Sequence, residues 1–329
     1  MQKTTQILLI IMFLSFFACN GKSTKNSNQN IESQQNTTVP VFNQDSAYSF
    51  VKKQVDFGAR VPNSAAHTAC LEYLSGKLQK FGAEVIIQNG EGTLYNGKSI
   101  DIKNIIGIFN PTAQRRILLA AHWDSRPFAD QDADISKHNT PILGANDGAS
   151  GVGVLLEIAR NLKTLPQNVG IDIIFFDVED YGIPEFYKGK YDNDTWCIGS
   201  KYWANNPHKK DYKADYGILL DMVGAPAAKF YQEYYSLKYA QNIVDKVWKN
   251  ANNSGFDGYF INQQGGAIMD DHLPINEIIK IPCIDIIQFD PNTKSGFNQY
   301  WHTTKDDMSN IDRNTLYAVG QTVLITIFK

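Results

Sequence analysis

Apolar positions along the chain keep two rhythms, and the alternation between them predicts the architecture. Residues 45–59 carry Tyr48, Val51 and Val55 at helical intervals, with Asp45 or Ser46 placed to cap the first turn. Residues 64–81 repeat that rhythm through Leu71, Leu74, Leu78 and Phe81, and Gly82 closes the helix. Strand-like runs follow at 84–88, 103–109 and 116–121, with Asn110-Pro111 turning between the last two. Residues 148–165 predict a helix stopped by Pro166, and 236–251 another that ends near Gly255. Residues 171–176, 216–221 and 281–287 read as strands, and 311–328 as a closing amphipathic helix. The run Ile171-Asp-Ile-Ile-Phe-Phe176 is apolar enough to lie buried on both faces of a sheet. From Ile102 onward strands alternate with helices, so the predicted fold is α/β. It is one three-layer α/β/α domain around a mixed, mainly parallel sheet, with its site at the strand C-terminal ends.

Composition changes that picture only at the N-terminus. The 329 residues are 43% hydrophobic, and 31 basic against 34 acidic side chains leave a net charge of −3. That balance, without a basic stripe, gives no footing for nucleic acid. Lys3 precedes an apolar run over residues 7–18 that is too short to span a bilayer and fits a secretory signal. Phe16-Phe17-Ala18-Cys19 is similar to a lipoprotein cleavage site, so residues 1–18 are expected to be a signal peptide and Cys19 a lipid anchor. Residues 19–41 are almost all small and polar and predict a flexible tether, leaving 42–329 as the folded domain. The chain is thereby expected to be exported, in the periplasm or cell envelope. Cys70, Cys197 and Cys283 are too few and scattered for a disulfide framework, and Cys283 reads as a buried strand residue.

The chemistry gathers where the core strands end. Asp177, Glu179 and Asp180 follow strand 171–176 directly, before Gly182. Neighbouring carboxylates there repel one another and resist leaving water; a bound cation is one reason to gather them, a solvated acidic loop the other. Strand 116–121 runs into His122-Trp-Asp124, whose Asp could orient the imidazole. Asp147 sits in a glycine-dense turn before a helix, Asp221 ends strand 216–221, and His302 lies in a polar loop. Two histidines and several carboxylates from separate strand ends match the ligand set of a catalytic zinc site. Residues 123–143 and 181–195 form long loops after core strands and are expected to line it. Other features read as structural. Glu157 and Arg160 suggest a solvated helix face, Tyr231-Gln-Glu-Tyr-Tyr235 local packing, and His272 the start of a helical turn. His67, His138 and His208 are expected to be exposed.

Gly144-Ala-Asn-Asp-Gly-Ala-Ser150, Phe176-Asp-Val-Glu-Asp180, Leu220-Asp-Met-Val-Gly-Ala-Pro226, Asp270-Asp-His272 and Trp301-His-Thr303 stand in one order along the chain. Together they resemble the motifs of the zinc-dependent glutaminyl-peptide cyclotransferases of the animal and bacterial type. That family shares its fold with the bacterial leucyl-type zinc aminopeptidases. The resemblance runs from Asp45 to the C-terminus. It implies zinc held by Asp147, Asp180 and His302, with Glu179 as general acid and base assisted by Asp221 and Asp270. Trp301 and Trp196 would pack against the substrate glutamine. The implied reaction converts an N-terminal glutamine of a peptide or protein to pyroglutamate with release of ammonia. This sequence departs from the animal enzymes at Asp180, where Glu is usual, at Asp285 in place of His, and at Met269 in place of Gln. Ala121 also stands where they have a disulfide cysteine. These departures point to the bacterial branch.

Two other readings fit the same residues. In a dinuclear zinc aminopeptidase, His122, Asp147, Asp180, Asp221 and His302 would hold two ions bridged by Asp147, with Glu179 activating a water. An exported binding protein without catalysis would be expected to lose ligands or the base, and this chain keeps them.

Overall fold

The computed structural model describes residues 38–190 and 195–329; the expected signal peptide, Cys19 and most of the tether lie outside them. Six strands form the central sheet in the order β1-β2-β4-β3-β5-β8. They are β1 (Glu84–Thr93), β2 (Ser99–Phe109), β3 (Arg115–His122), β4 (Val169–Phe176), β5 (Tyr216–Asp221) and β8 (Cys283–Ile287). β1, β2 and β4 pair antiparallel, whereas β4, β3, β5 and β8 run parallel. The four parallel strands therefore deliver their carboxyl ends to one edge.

Side-chain alternation along these strands explains why the sheet is covered twice. In β4, Ile171, Ile173 and Phe175 enter one core, while Ile174 and Phe176 enter the other. β3 divides likewise, with Ile117, Leu119 and Ala121 on one side and Leu118 and Ala120 on the other. The larger core is closed by α1 (Gln44–Val55), α2 (Ala65–Lys80), α3 (Ala149–Asn161), α5 (Tyr234–Asn253) and α7 (Arg313–Phe328). On the opposite face lie α4 (Ile198–Asn205) and α6 (His272–Glu277). A second sheet pairs β6 (Phe230–Gln232) with β7 (Phe260–Gln264). Among the described residues no helix is long and apolar enough to cross a membrane.

Several structural expectations change. Glu157 is fully buried, its carboxylate accepting from the Asn43 backbone N–H and pairing with Arg160, so the expected solvated face holds for the exposed Arg160 and not for Glu157. His67 is fully buried too: its ring stacks on Trp123 at 4.0 Å and its Nε2 lies 2.8 Å from Asp177 Oδ1. His208 is half-buried, accepting from Trp203 Nε1, and His138 is half-buried against the Asp132 carbonyl. The helix expected over 148–165 ends at Asn161 and tightens into a 3-10 turn, Leu162–Thr164. Cys70, Cys197 and Cys283 are all buried free thiols.

Candidate active site

The turn after β4 sets the geometry. Val178 takes φ 55° and reverses the chain, so the three acids part company. Asp177 turns inward, where its carboxylate accepts from the Val178 and Lys103 N–H groups and meets His67. Its role is structural. Glu179 and Asp180 turn toward the site cavity, and the carboxylate of Asp124 accepts both of their backbone N–H groups at 3.2 Å. Asp124 thus fixes the acidic turn. It also stands 3.5 Å from His122 Nδ1, without the alignment of a hydrogen bond.

Asp147 is presented by the turn that starts α3. Gly148 has φ 93°, and a Cβ there would meet the Asp124 carbonyl and the His122 ring, so only glycine fits. Asp306 accepts from the N–H groups of Asn146 and Asp147, which fixes the turn from the other side. His302, also at positive φ, brings Nε2 to 3.1 Å from Asp180 and 3.6 Å from Asp147. Its Nδ1 faces Asp130 at 3.5 Å, and Arg126 grips Asp130 with Nε and Nη2 while its Nη1 donates to the Asp180 carbonyl. On the other side of Asp147, His122 Nε2 lies 3.0 Å from Asp147 and 3.2 Å from Asp221.

Asp147, Asp180 and His302 therefore converge, and His122, Asp147 and Asp221 form a second convergent trio sharing Asp147. The donor set suits zinc, and one observation tests the fit. Asp147 Oδ2 and Asp180 Oδ2 are buried without a hydrogen-bond partner, an expensive state for a carboxylate unless a cation completes it.

A cavity of about 70 Å³ opens beside this cluster. Asp147, Asp180, His302, Glu179, Asp221, Asp270, Trp196 and Trp301 all line it, so the residues to which the resemblance gave a role reach one place, whereas His122, Asp124 and Asp177 stand behind it. Trp301 stacks on His302 at 3.6 Å between ring centres, and Trp196 lies parallel to the same imidazole at 6.2 Å. Phe297 packs on Trp301 at 4.8 Å.

Burial dominates the acid–base chemistry. It drives the Glu179 carboxyl well above its ordinary range; His122 opposes the shift, while Asp270, Asp180 and Asp271 add to it. The Cys197 thiol donates to Glu179 Oε1 at 3.3 Å. Asp270 is pushed up to about 6 by burial and by Asp221. Burial and Arg126 work to lower His302, but Asp180 and Asp130 outweigh them and hold the imidazole above its ordinary value. The cavity thus combines aromatic walls, a cluster of donors suited to a cation and a carboxyl held above its ordinary range by burial.

Sequence reasoning missed Arg126, Asp130, Asp306 and Phe297. All four sit in loops without periodicity; the long loop 123–143 hinted at Arg126 and Asp130, and nothing pointed to Phe297 or Asp306.

An α/β sheet with a carboxylate–histidine cluster at its parallel strand ends defines the zinc exopeptidase type of site. The chain belongs to the family described as Peptidase family M28, whose profile matches residues 104–327. Similar solved structures include a Zn-dependent exopeptidase from Parabacteroides distasonis, 55% identical with a TM-score of 0.87, covering 89% of this chain and 100% of that one. Another is a Bacteroides thetaiotaomicron glutaminyl cyclase, 54% identical with a TM-score of 0.87, covering 89% and 99%. The Bos taurus glutaminyl-peptide cyclotransferase is 27% identical over 302 residues, 82% of this chain and 78% of that protein. The match to aminopeptidase YwaD of Bacillus subtilis, also 27% identical, spans half of that protein's length.

Proposed function

We infer that this protein is a glutaminyl-peptide cyclotransferase, converting an N-terminal glutamine of peptides to pyroglutamate with loss of ammonia. The observation that carries the reading is the near full-length likeness, at 54% identity, to a glutaminyl cyclase. The site is consistent with it. A 70 Å³ cavity walled by Trp196, Phe297 and Trp301 suits one folded side chain beside a protonatable carboxyl.

In this reading Asp147, Asp180 and His302 hold a single zinc ion. When bound, zinc supplies Lewis acidity toward the carboxamide oxygen of the glutamine. The chain's own residues do the rest. Trp301 and Trp196 flank the side chain and keep it bent, so that its carboxamide carbon faces its own α-amine. Glu179 accepts the proton that the amine loses as its nitrogen bonds to that carbon. It then gives a proton to the amide nitrogen, which leaves as ammonia. The raised affinity of Glu179 for a proton, maintained by burial and the neighbouring acids, favours its taking the proton from the amine, and the same carboxyl then stands ready to pass it to the leaving nitrogen. Asp221 and Asp270 assist by sustaining that environment.

The trio His122, Asp147 and Asp221 and the likeness to aminopeptidase YwaD favour a dinuclear aminopeptidase. Assay against a glutaminyl dipeptide and a leucyl anilide, with zinc counted per chain, separates the two. Pyroglutamyl product with one zinc is expected; leucyl release with two zincs and no pyroglutamate would reverse the assignment. The apolar run before Cys19 and the polar segment after it support export, with the domain tethered to the cell envelope through lipid on Cys19. Metabolic labelling with a fatty acid checks this, and absence of label at Cys19 contradicts it.

A further inference from the structure

Glu179 lies against two further side chains able to hold a metal, neither of them part of the zinc cluster. The Cys197 thiol stands 3.3 Å from Glu179 Oε1. One oxygen of Asp270 lies within 4.8 Å of both, so a thiol and two carboxylates converge from three segments. Glu179 and Asp270 line the reaction cavity, which gives an ion a way in.

Local structure builds this trio. Cys197 takes φ 56°, a conformation that few residues with a Cβ adopt, just before α4. Two backbone bonds hold it there: its own N–H donates to the Glu179 carbonyl, and the Ile198 N–H to the Val178 carbonyl, both at 3.1 Å. The turn that carries Glu179 is thereby tied to the start of α4, with the thiol on the carboxylate. Asp270 is 4% exposed; its Oδ1 accepts from the Asp271 N–H, while its Oδ2 is buried without a hydrogen-bond partner. A buried carboxylate oxygen in that state is stabilised by a cation.

The spacing fits one as well. Around a tetrahedral ion with bonds of about 2.3 Å to sulfur and about 2.0 Å to oxygen, the two donors stand about 3.5 Å apart. The 3.3 Å between Cys197 Sγ and Glu179 Oε1 is close to that edge. A thiolate among the donors favours soft and borderline ions, cadmium or excess zinc, over magnesium and calcium.

We propose that Glu179, Cys197 and Asp270 form a second, inhibitory site for a thiophilic divalent ion. The proposal rests on the cyclase reading and adds regulation to it. On binding, the Cys197 thiol gives up its proton to solvent, as does Glu179 where protonated, and thiolate and carboxylates coordinate the ion. Held there, Glu179 no longer takes the proton from the substrate amine, and turnover stops while zinc stays in place. Protons, favoured at both groups by burial, compete with the ion, so the site fills only at excess metal.

The test titrates cadmium into the zinc-loaded protein. It follows the cadmium–thiolate absorption band in the ultraviolet beside ammonia release from a glutaminyl dipeptide. One band equivalent per chain is expected, with kcat lowered about tenfold or more at saturation and the zinc retained. Magnesium at the same concentration should change neither; equal inhibition by magnesium would overturn the role of the thiol. In Cys197→Ala the band disappears and cadmium lowers the variant's own rate by about twofold or less. Cys197→Ser, closer in shape, serves if the alanine variant folds poorly. Absence of the band in the unaltered protein, its persistence in both variants, or inhibition that tracks release of the bound zinc would overturn the site. The band does not depend on turnover, so a band without cyclisation of the dipeptide would overturn the cyclase reading and leave the ion site standing.

Discussion

Glu179 carries the proposed chemistry, and its surroundings say what a substitution does. It lies next to Asp180 in sequence and lines the same cavity as the zinc cluster, with Asp270, Asp271 and Cys197 around it. Glu179→Gln removes a proton carrier without removing a ligand, so zinc content should stay near one per chain while kcat falls by about 10²–10⁴-fold. Metal analysis and single-turnover kinetics check this together; loss of zinc from that variant would place Glu179 among the ligands. Trp301 acts differently, because its ring lies on His302 at 3.6 Å and walls the cavity. Trp301→Ala should raise KM by about tenfold or more while zinc stays bound, since a stacking surface is lost and no proton carrier is removed. At this scale the sequence was informative about which side chains converge and silent about their supports. Asp147, Asp180 and His302 could be picked out from their flanking motifs. Asp130 and Arg126, which brace His302 and Asp180, come from a loop whose residues touch the site only after the chain has folded. Glu157 was misjudged because its spacing to Arg160 looks like a surface pair, whereas the α1 N-terminus caps it from above.

At the level of elements, α3 decides where Asp147 stands. The helix is buried nearly all round, and Gly151 packs so closely on β5 that a Cβ there would collide with the Leu220 carbonyl oxygen and press on Ala121. Gly151→Ala must push the helix off the sheet, and with it the turn that aims Asp147. The expected cost is about 3 kcal/mol of stability with weakened zinc affinity, read by chemical denaturation and competition with a chelating dye. A variant as stable as the parent would show that α3 is free to shift. The main strands were legible because β3, β4, β5 and β8 are apolar runs ended by turn residues or acids. β6 and β7 were not, being three and five residues long and largely polar beyond Phe230 and Phe260. α4 was hidden too: Cys197 precedes it in a left-handed conformation with no side-chain cap, and Gly199 follows immediately.

For the whole molecule, the zinc cluster joins parts distant in sequence. Asp147, Asp180 and His302 come from three separate segments, and Asp306 and Asp130 lace those segments together. A cation bound there stabilises the native state alone. At a free concentration about a thousandfold above its dissociation constant, that linkage is worth about 4 kcal/mol. Calorimetry should accordingly find the apo protein melting about 10 °C below the zinc form, for a domain of this size. Equal melting temperatures would mean that the cluster does not bind the ion tightly. The overall architecture was readable in the sequence, since helices cover both faces of a mainly parallel sheet as its pattern predicts.

The most direct measurement follows ammonia release from a glutaminyl dipeptide as zinc is titrated back into the chelated protein. A cluster that makes the glutamine carboxamide reactive toward its own amine predicts no release from the apo form. Release should then rise linearly and level off at one zinc per chain, with one pyroglutamyl product per ammonia. Full ammonia release from the zinc-free protein, or a plateau reached only at two zincs with leucyl substrates cleaved instead, would contradict it.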